Sequence, residues 1–327
     1  AVGSELGARF CAQLRRDSYV PLLLPASERS RFEAIEEAAS AWFKLSEDEK
    51  IDQAGEYGHV DRKFTGYRNG KFREQLEVRS LAGGGAYPMP HTPASFGPSL
   101  NHVLVDMDSM ARGLLQHIAI DLGADADFFD PLLDPPPPSA SSATAPPPAA
   151  VEKEGEEADP VLSHSLMRVC RYDADGEGVY GTNVLCEAHN DVGFITLDAC
   201  ASTAGLEALR RADGLWVPVE QSPPPPGGEL VLLAMVGDTL GRLSNNYFAP
   251  CKHRVVCPAH GERIGLPFLF RGRSDAILNT KPARKRAAAQ GRTAHLAEME
   301  TMTIKELPAF DSGKAILRDW FRSVKKP

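Results

Sequence analysis

The sequence predicts a mainly β protein flanked by helices, and three features of its 327 residues carry that reading. Past residue 160, short apolar runs recur at 166–172, 194–198, 215–219, 229–236, 253–256 and 264–270, separated by Gly, Pro, Asn and Asp clusters. Strands recurring every 8–12 residues or so belong to sandwiches and barrels. Ahead of residue 134 the apolar residues instead follow the period of a helix. Between these parts, residues 134–160 run through PPPP, SASSATAPPP and EKEGEEAD. Such a segment cannot bury enough apolar surface to offset its ordering entropy, so a disordered surface insertion is expected there.

The first helix is expected over 31–45, where Phe32, Ile35, Ala38, Ala39, Trp42, Phe43 and Leu45 fall on one stripe. Ser46-Glu-Asp-Glu49 has the spacing of a capping box, which opens a further turn. Residues 74–79 alternate and read as a strand. A second helix is expected over 102–122, with Val103, Leu104, Met107, Met110, Leu114, Leu115 and Ile118 on its apolar stripe and Gly123 as its stop. Leu317, Trp320 and Phe321 predict a last helix over 316–324. The expected organisation is thus a mostly helical part over 1–133, the insertion over 134–160 and a β-rich core with a C-terminal helix over 161–327, together one structural unit.

Composition narrows the function. With 43% hydrophobic and 24% charged residues the chain is of ordinary globular type. A net charge of −8 implies no general attraction to nucleic acid or anionic membrane. The longest apolar run, 230–236, is far short of the about 20 residues a spanning helix needs. The expectation is a soluble protein with no nucleic-acid, membrane or obligate protein partner. Six cysteines without CxxC spacing suggest free thiols in a reducing, cytoplasmic compartment. The first residue is Ala rather than Met, which leaves the native start and any targeting segment open.

The chemistry concentrates in Glu187-Ala-His-Asn-Asp-Val-Gly-Phe-Ile-Thr-Leu197. On a strand His189 and Asp191, two apart, would share a face. Sixty-two residues on, His253 opens another apolar run. Two imidazoles and one carboxylate on one side of a metal leave three positions open, the arrangement of non-haem Fe(II) sites that activate O2. Arg263 follows on the next expected strand, and a fixed cation there could hold a carboxylate.

These motifs resemble the iron(II)/2-oxoglutarate-dependent dioxygenases of the isopenicillin N synthase-like superfamily. The matching residues are Arg171-Tyr172, His189-Asn-Asp-Val-Gly-Phe-Ile-Thr-Leu197, Gly205-Leu206 and Asp213-Gly-Leu-Trp216. They continue with Gly237-Asp238, Ser244-Asn245, His253-Arg-Val255 and Arg263-Ile-Gly265, in family order over about 165–270. More loosely, Trp42-Phe-Lys-Leu-Ser-Glu-Asp-Glu-Lys50, Thr65-Gly-Tyr67 and 74–79 resemble the family's first half, whose opening strand ahead of the first helix is expected to be truncated or missing. The resemblance implies a double-stranded β-helix, or jelly roll. It implies Fe(II) held by His189, Asp191 and His253, with 2-oxoglutarate and O2 as cosubstrates. It also implies oxidation of a small-molecule substrate with release of succinate and CO2. A 2-oxoglutarate-independent oxidase with the same triad is the alternative, ahead of a non-catalytic jelly-roll binding module.

In one position the chain departs from the family. Gly265 stands where the family has Ser, so one hydroxyl donor to the distal carboxylate of 2-oxoglutarate is lost, while Arg263 and Tyr172 keep the other contacts the resemblance implies. Losing a hydrogen bond to a charged group costs about 1.5–3 kcal/mol, and the added room suits a different 2-oxo acid as well. Arg168 shares a strand face with Cys170 and Tyr172, so two roles are open to it: an internal ion pair, or a contact to an acidic group of the substrate. Arg79, Phe194 and Phe270 are further pocket candidates. Asp238 is expected to be structural. The remaining histidines are read as surface or packing residues, and the basic residues over 281–292 as a solvated helix face.

Overall fold

The computed structural model describes residues 5–138, 160–173, 178, 181–220, 227–289 and 302–306. Most of the expected insertion and the expected 316–324 helix lie outside these residues.

The chain opens with α1 (Glu5–Asp17), β1 (Tyr19–Leu24), α2 (Ala26–Phe43) and α3 (Glu47–Ala54). The capping box at the start of α3 forms as its spacing predicts: Ser46 Oγ accepts from the Glu49 N–H, and the Glu49 carboxylate accepts from the Ser46 N–H. Strands β2 (Gly58–Val60), β3 (Lys63–Asn69), β4 (Glu74–Ser80) and β5 (Ala86–Tyr87) lead to the long α4 (Phe96–Leu122). Gly123, in the left-handed conformation at φ 79°, ends that helix as expected.

The second half supplies β6 (Leu166–Asp173), β7 (Val184–His189), β8 (Ile195–Ala199), β9 (Leu206–Leu209), β10 (Trp216–Pro218) and β11 (Leu230–Val236). Then come α5 (Asp238–Leu243), β12 (His253–Val256), β13 (Glu262–Gly265), β14 (Phe268–Phe270) and α6 (Lys281–Ala289). The single run expected over 264–270 is two strands. β13 pairs with the C-terminal half of β6, whereas β14 bridges the start of β6 to β8. Pro267, which has no N–H to give a ladder, lies at the break.

Two sheets form. The larger runs β1-β11-β8-β14-β6-β4-β3-β2, with β13 also on β6 and β5 on β4; the smaller runs β10-β9-β12-β7. The mostly helical first part therefore does more than flank the β core. β1 pairs antiparallel with β11 along six residues, and β4 pairs with β6. A strand thus precedes the 31–45 helix, where one was expected to be truncated or missing.

Strand β11 shows how the layers arise. Every residue of LVLLAMV is buried. Leu230, Leu232, Ala234 and Val236 join the core under α1, α2 and α4, while Val231, Leu233 and Met235 join a second core with residues of β6, β7, β9 and β12. Side chains alternate across a strand, so an unbroken apolar run marks a strand covered on both faces. Strands β6 and β8 obey the same alternation with one difference. Met167, Val169, Ile195 and Leu197 face the helices. Their neighbours Arg168, Cys170, Tyr172, Thr196 and Asp198 face the inter-sheet space, and that polar set marks the site.

Candidate metal centre and adjoining cavity

His189 is the last residue of β7 and His253 the first of β12, and the two are cross-strand partners. Asp191 does not continue β7, as the two-residue spacing suggested; it sits in the crossing from β7 to β8, and a turn rather than strand alternation brings it beside the histidines. That turn is tight. Gly193 has φ 155°, and a Cβ there would stand 2.7 Å from the Phe270 carbonyl oxygen. The turn docks on the start of α5 through the Asp238 N–H to the Asp191 carbonyl (2.8 Å) and the Thr239 N–H to the Gly193 carbonyl (2.9 Å). Asp238 Oδ1 accepts from Asn190 Nδ2, in keeping with its expected structural role.

The three ligand atoms converge. His189 Nε2 lies 3.7 Å from Asp191 Oδ1, and His253 Nε2 3.7 Å from Asp191 Oδ2. The whole donor set falls within 4.8 Å. His189 Nδ1 meets the Glu187 carbonyl at 2.7 Å, and His253 Nδ1 the Cys251 carbonyl at 3.1 Å. A carbonyl only accepts, so each Nδ1 carries a proton and each Nε2 faces inward as the nitrogen left for a metal. Thr196 Oγ1 donates to Asp191 Oδ2 at 2.7 Å and fixes the carboxylate. Burial opposes the charge of Asp191, yet His253, His189, Thr196 and Arg168 hold its carboxyl down to about 2. Burial and then His189 push His253 down to about 4, which keeps it a neutral donor at ordinary pH. Burial opposes the charge of His189, but Cys186 and then Asp191 push it up to about 9, so this imidazole must give up a proton to take a metal. With that proton released, two imidazoles and an ionised carboxylate, each oriented from behind, fit a divalent iron with an open face.

Beside the triad lies an open cavity whose wall holds Tyr172, Arg263 and Gly265 from among the expected cosubstrate residues, and Arg168 from among the expected substrate residues. Arg79, Phe194 and Phe270 are not on that wall. Arg79 is spent on Glu77 and on the carbonyls of Phe64, Ser163 and His164. Phe194 packs edge-on against Phe129, and Phe270 faces the helical core. Of the two roles open to Arg168, the ion pair is realised, through Nε to Glu77 at 3.0 Å.

Arg263 reaches the cavity wall, but its charge is taken. Its Nη2 and Nε meet the two oxygens of Glu220 at 2.6 and 3.1 Å, and both side chains are almost wholly buried. Glu220 also accepts from the backbone N–H groups of Ala201, Gly205 and Leu206. Burial opposes the Glu220 charge, and Arg263 with these donors keeps its carboxyl below the usual range. Gly265 and Gly205 clear the space this geometry needs: a Cβ at 265 would stand 2.6 Å from Arg263 Nη1, and one at 205 would stand 2.9 Å from its Cδ. Breaking such a pair leaves a bare buried charge and costs about 3–5 kcal/mol.

Two cavity residues, Asp198 and Arg73, escaped the sequence reading, and a third, Cys186, three residues before His189, reads in the sequence only as a buried small side chain. Asp198 is buried with Oδ1 unpaired, and burial pushes its carboxyl up to about 7 against the pull of Arg263. Cys186 lies 3.9 Å from His189 Nδ1; burial opposes its ionisation, but Arg73 and then His189 draw the thiol down to about 6. Arg73 stands ahead of β4, and its Nη1 donates to Tyr172 Oη and Cys186 Sγ, both at 3.2 Å. Only the β6 alternation carried a signal for any of these, because it placed Tyr172 in the same space.

Residues 163–272 match the family model described as the 2OG-Fe(II) oxygenase superfamily. Isopenicillin N synthase of Amycolatopsis lactamdurans is 28% identical over 188 residues, 57% of this chain and 48% of that protein. The 2-oxoglutarate-Fe(II) type oxidoreductase hxnY of Emericella nidulans is 28% identical over 186 residues, 55% of this chain and 43% of that protein. The chain thus spans less than half the length of these two curated relatives. Among solved structures, a 2OG-Fe(II) oxygenase family protein from Caulobacter crescentus superposes with a TM-score of 0.62 at 23% identity, covering 98% of this chain and 94% of that one. A full-length Neurospora crassa protein solved in complex with alpha-KG superposes with a TM-score of 0.64 at 19% identity, covering 96% of this chain and 89% of that one. These two likenesses establish the shared fold, a double-stranded β-helix core.

Proposed function

The chain belongs to the 2OG-Fe(II) oxygenase superfamily, and from that premise we propose that it is an Fe(II)- and 2-oxoglutarate-dependent dioxygenase that oxidises a C–H bond of a small organic molecule. The observation that carries this reading is the convergence of His189 Nε2, His253 Nε2 and the Asp191 carboxylate, with both Nδ1 protons tied to backbone carbonyls. When bound, iron and the 2-oxo acid would supply O2 activation, with the 2-oxo acid leaving as succinate and CO2.

The chain's own residues do the holding. Thr196 keeps the Asp191 carboxylate turned toward the two imidazoles. The Gly193 turn and the first residues of α5 fix that carboxylate's backbone. The inward faces of β6, β8 and β11 line the cavity, so a reacting group between the sheets meets oriented side chains on those walls. Hydroxylation, desaturation and ring closure all fit this arrangement.

The Arg263–Glu220 pair favours a second reading, an iron oxidase with the same triad that takes no 2-oxo acid, because the guanidinium expected to hold one is already neutralised. Succinate release separates the two. Anaerobic loading should give one Fe(II) per chain, and a metabolite screen with O2 should find a compound that stimulates succinate formation from 2-oxoglutarate. Stoichiometric iron with substrate oxidation but no succinate would favour the second reading.

A further inference from the structure

Charge is unevenly distributed around the cavity. At Arg263 one guanidinium faces two carboxyl groups: Glu220 holds it through two bonds, and Asp198 adds a second acid on the same wall. Neither guanidinium nor carboxylate can turn away without stranding the other, and Gly265 and Gly205 leave room for this arrangement and little else. Around β4 the balance reverses. Arg168 and Arg79 share a single carboxylate, Glu77, and Arg73 has none within salt-bridge distance among the described residues.

Arg73 is placed to receive an anion. Both of its hydrogen bonds leave from Nη1, to the Tyr172 hydroxyl and the Cys186 sulfur. Nε and Nη2 have no protein acceptor among the described residues, so most of a planar five-donor fork is unclaimed at the cavity wall. Its position is also right. Arg73, Tyr172 and the three triad residues line one cavity, and Cys186 Sγ, which touches Arg73, lies 3.9 Å from His189 Nδ1, the nitrogen opposite the metal-binding Nε2. Arg168, by contrast, already gives its Nε to the Glu77 carboxylate at 3.0 Å.

Resting on the dioxygenase reading above, we infer that Arg73, with the Tyr172 hydroxyl, is the anchor for the distal carboxylate of a dicarboxylic 2-oxo acid, and that Arg263 is a structural cation locked to Glu220. The specificity for a second carboxylate thus comes from the segment ahead of β4 rather than from β13.

Anaerobic titration of the Fe(II)-loaded full chain tests this, read by the visible charge-transfer absorption of an iron-chelated 2-oxo acid. The probes are 2-oxoglutarate and 2-oxopentanoate, which has the same five carbons and no distal carboxylate. Arg73→Met should weaken 2-oxoglutarate about 30-fold or more, the loss of a charge-assisted pair, and change 2-oxopentanoate less than about threefold. Arg263→Met alone risks unfolding. The charge-neutral Arg263→Met/Glu220→Gln variant replaces it, and should keep 2-oxoglutarate binding within about threefold of the parent. An equal loss in that double variant, or equal weakening of both probes by Arg73→Met, overturns the inference while leaving the dioxygenase reading intact. No absorption change with either probe on the parent protein, despite bound iron, overturns both.

Discussion

His253 and His189 are cross-strand neighbours on β12 and β7, with ring centroids 4.3 Å apart and planes inclined at 55°. The antiparallel register of the small sheet brings together two residues 64 positions apart in the chain. Asp191 then closes the set from the β7–β8 turn. His189→Ala, Asp191→Ala and His253→Ala should each lose stoichiometric Fe(II) binding and iron-dependent turnover while keeping the far-ultraviolet circular dichroism of the parent. Near-normal activity of any one of them at saturating iron would remove that residue from the ligand set.

Thr196 touches no metal ligand atom except Asp191 Oδ2, which it holds at 2.7 Å from a buried position on β8. Thr196→Val keeps the shape and removes the hydroxyl. Partners that orient a ligand are worth about 10–100-fold in metal affinity, so Fe(II) binding should weaken by that amount in anaerobic titration. An unchanged affinity would show that the turn alone orients the carboxylate.

Glu220 and Arg263 should be coupled in stability. Glu220→Gln leaves Arg263 buried with Asp198 as its remaining acid, and denaturant unfolding should show a loss of up to about 3–5 kcal/mol. Adding Arg263→Met should recover part of that loss. Gly265→Ser should also destabilise rather than tighten 2-oxo acid binding, because its Cβ meets Arg263 Nη1 at 2.6 Å. A Gly265→Ser protein with unchanged stability and tighter 2-oxoglutarate binding would show that Arg263 swings free of Glu220.

Asp198 should make stability depend on pH. Burial raises its folded carboxyl to about 7, far above the ordinary aspartate value. The folded state therefore retains a proton that the unfolded state has lost, and this group's contribution is largest below the unfolded value. It declines as pH rises from about 4 and levels off above about 7. Asp198→Asn should gain stability relative to the parent across that window, measured as unfolding midpoints at a series of pH values. A constant difference between the two proteins from pH 4 to 8 would mean that Asp198 titrates normally.

Much of this protein was legible in its residues. Helices α2 and α4, the α3 capping box and the Gly123 stop follow from periodicity and local hydrogen bonding, which act within a few residues. The triad was legible because its spacing and the motif order around it are chemical requirements written along the chain. What tertiary structure alone decided is which charges meet. Glu220 reaches Arg263 across 43 positions and Glu77 reaches Arg168 across 91, while Arg73 comes within 3.2 Å of Tyr172 across 99. No period or motif encodes those meetings. They depend on how β4, β6, β9 and β13 are ordered in two facing sheets, and a guanidinium is free or spent according to which carboxylate that packing sets beside it.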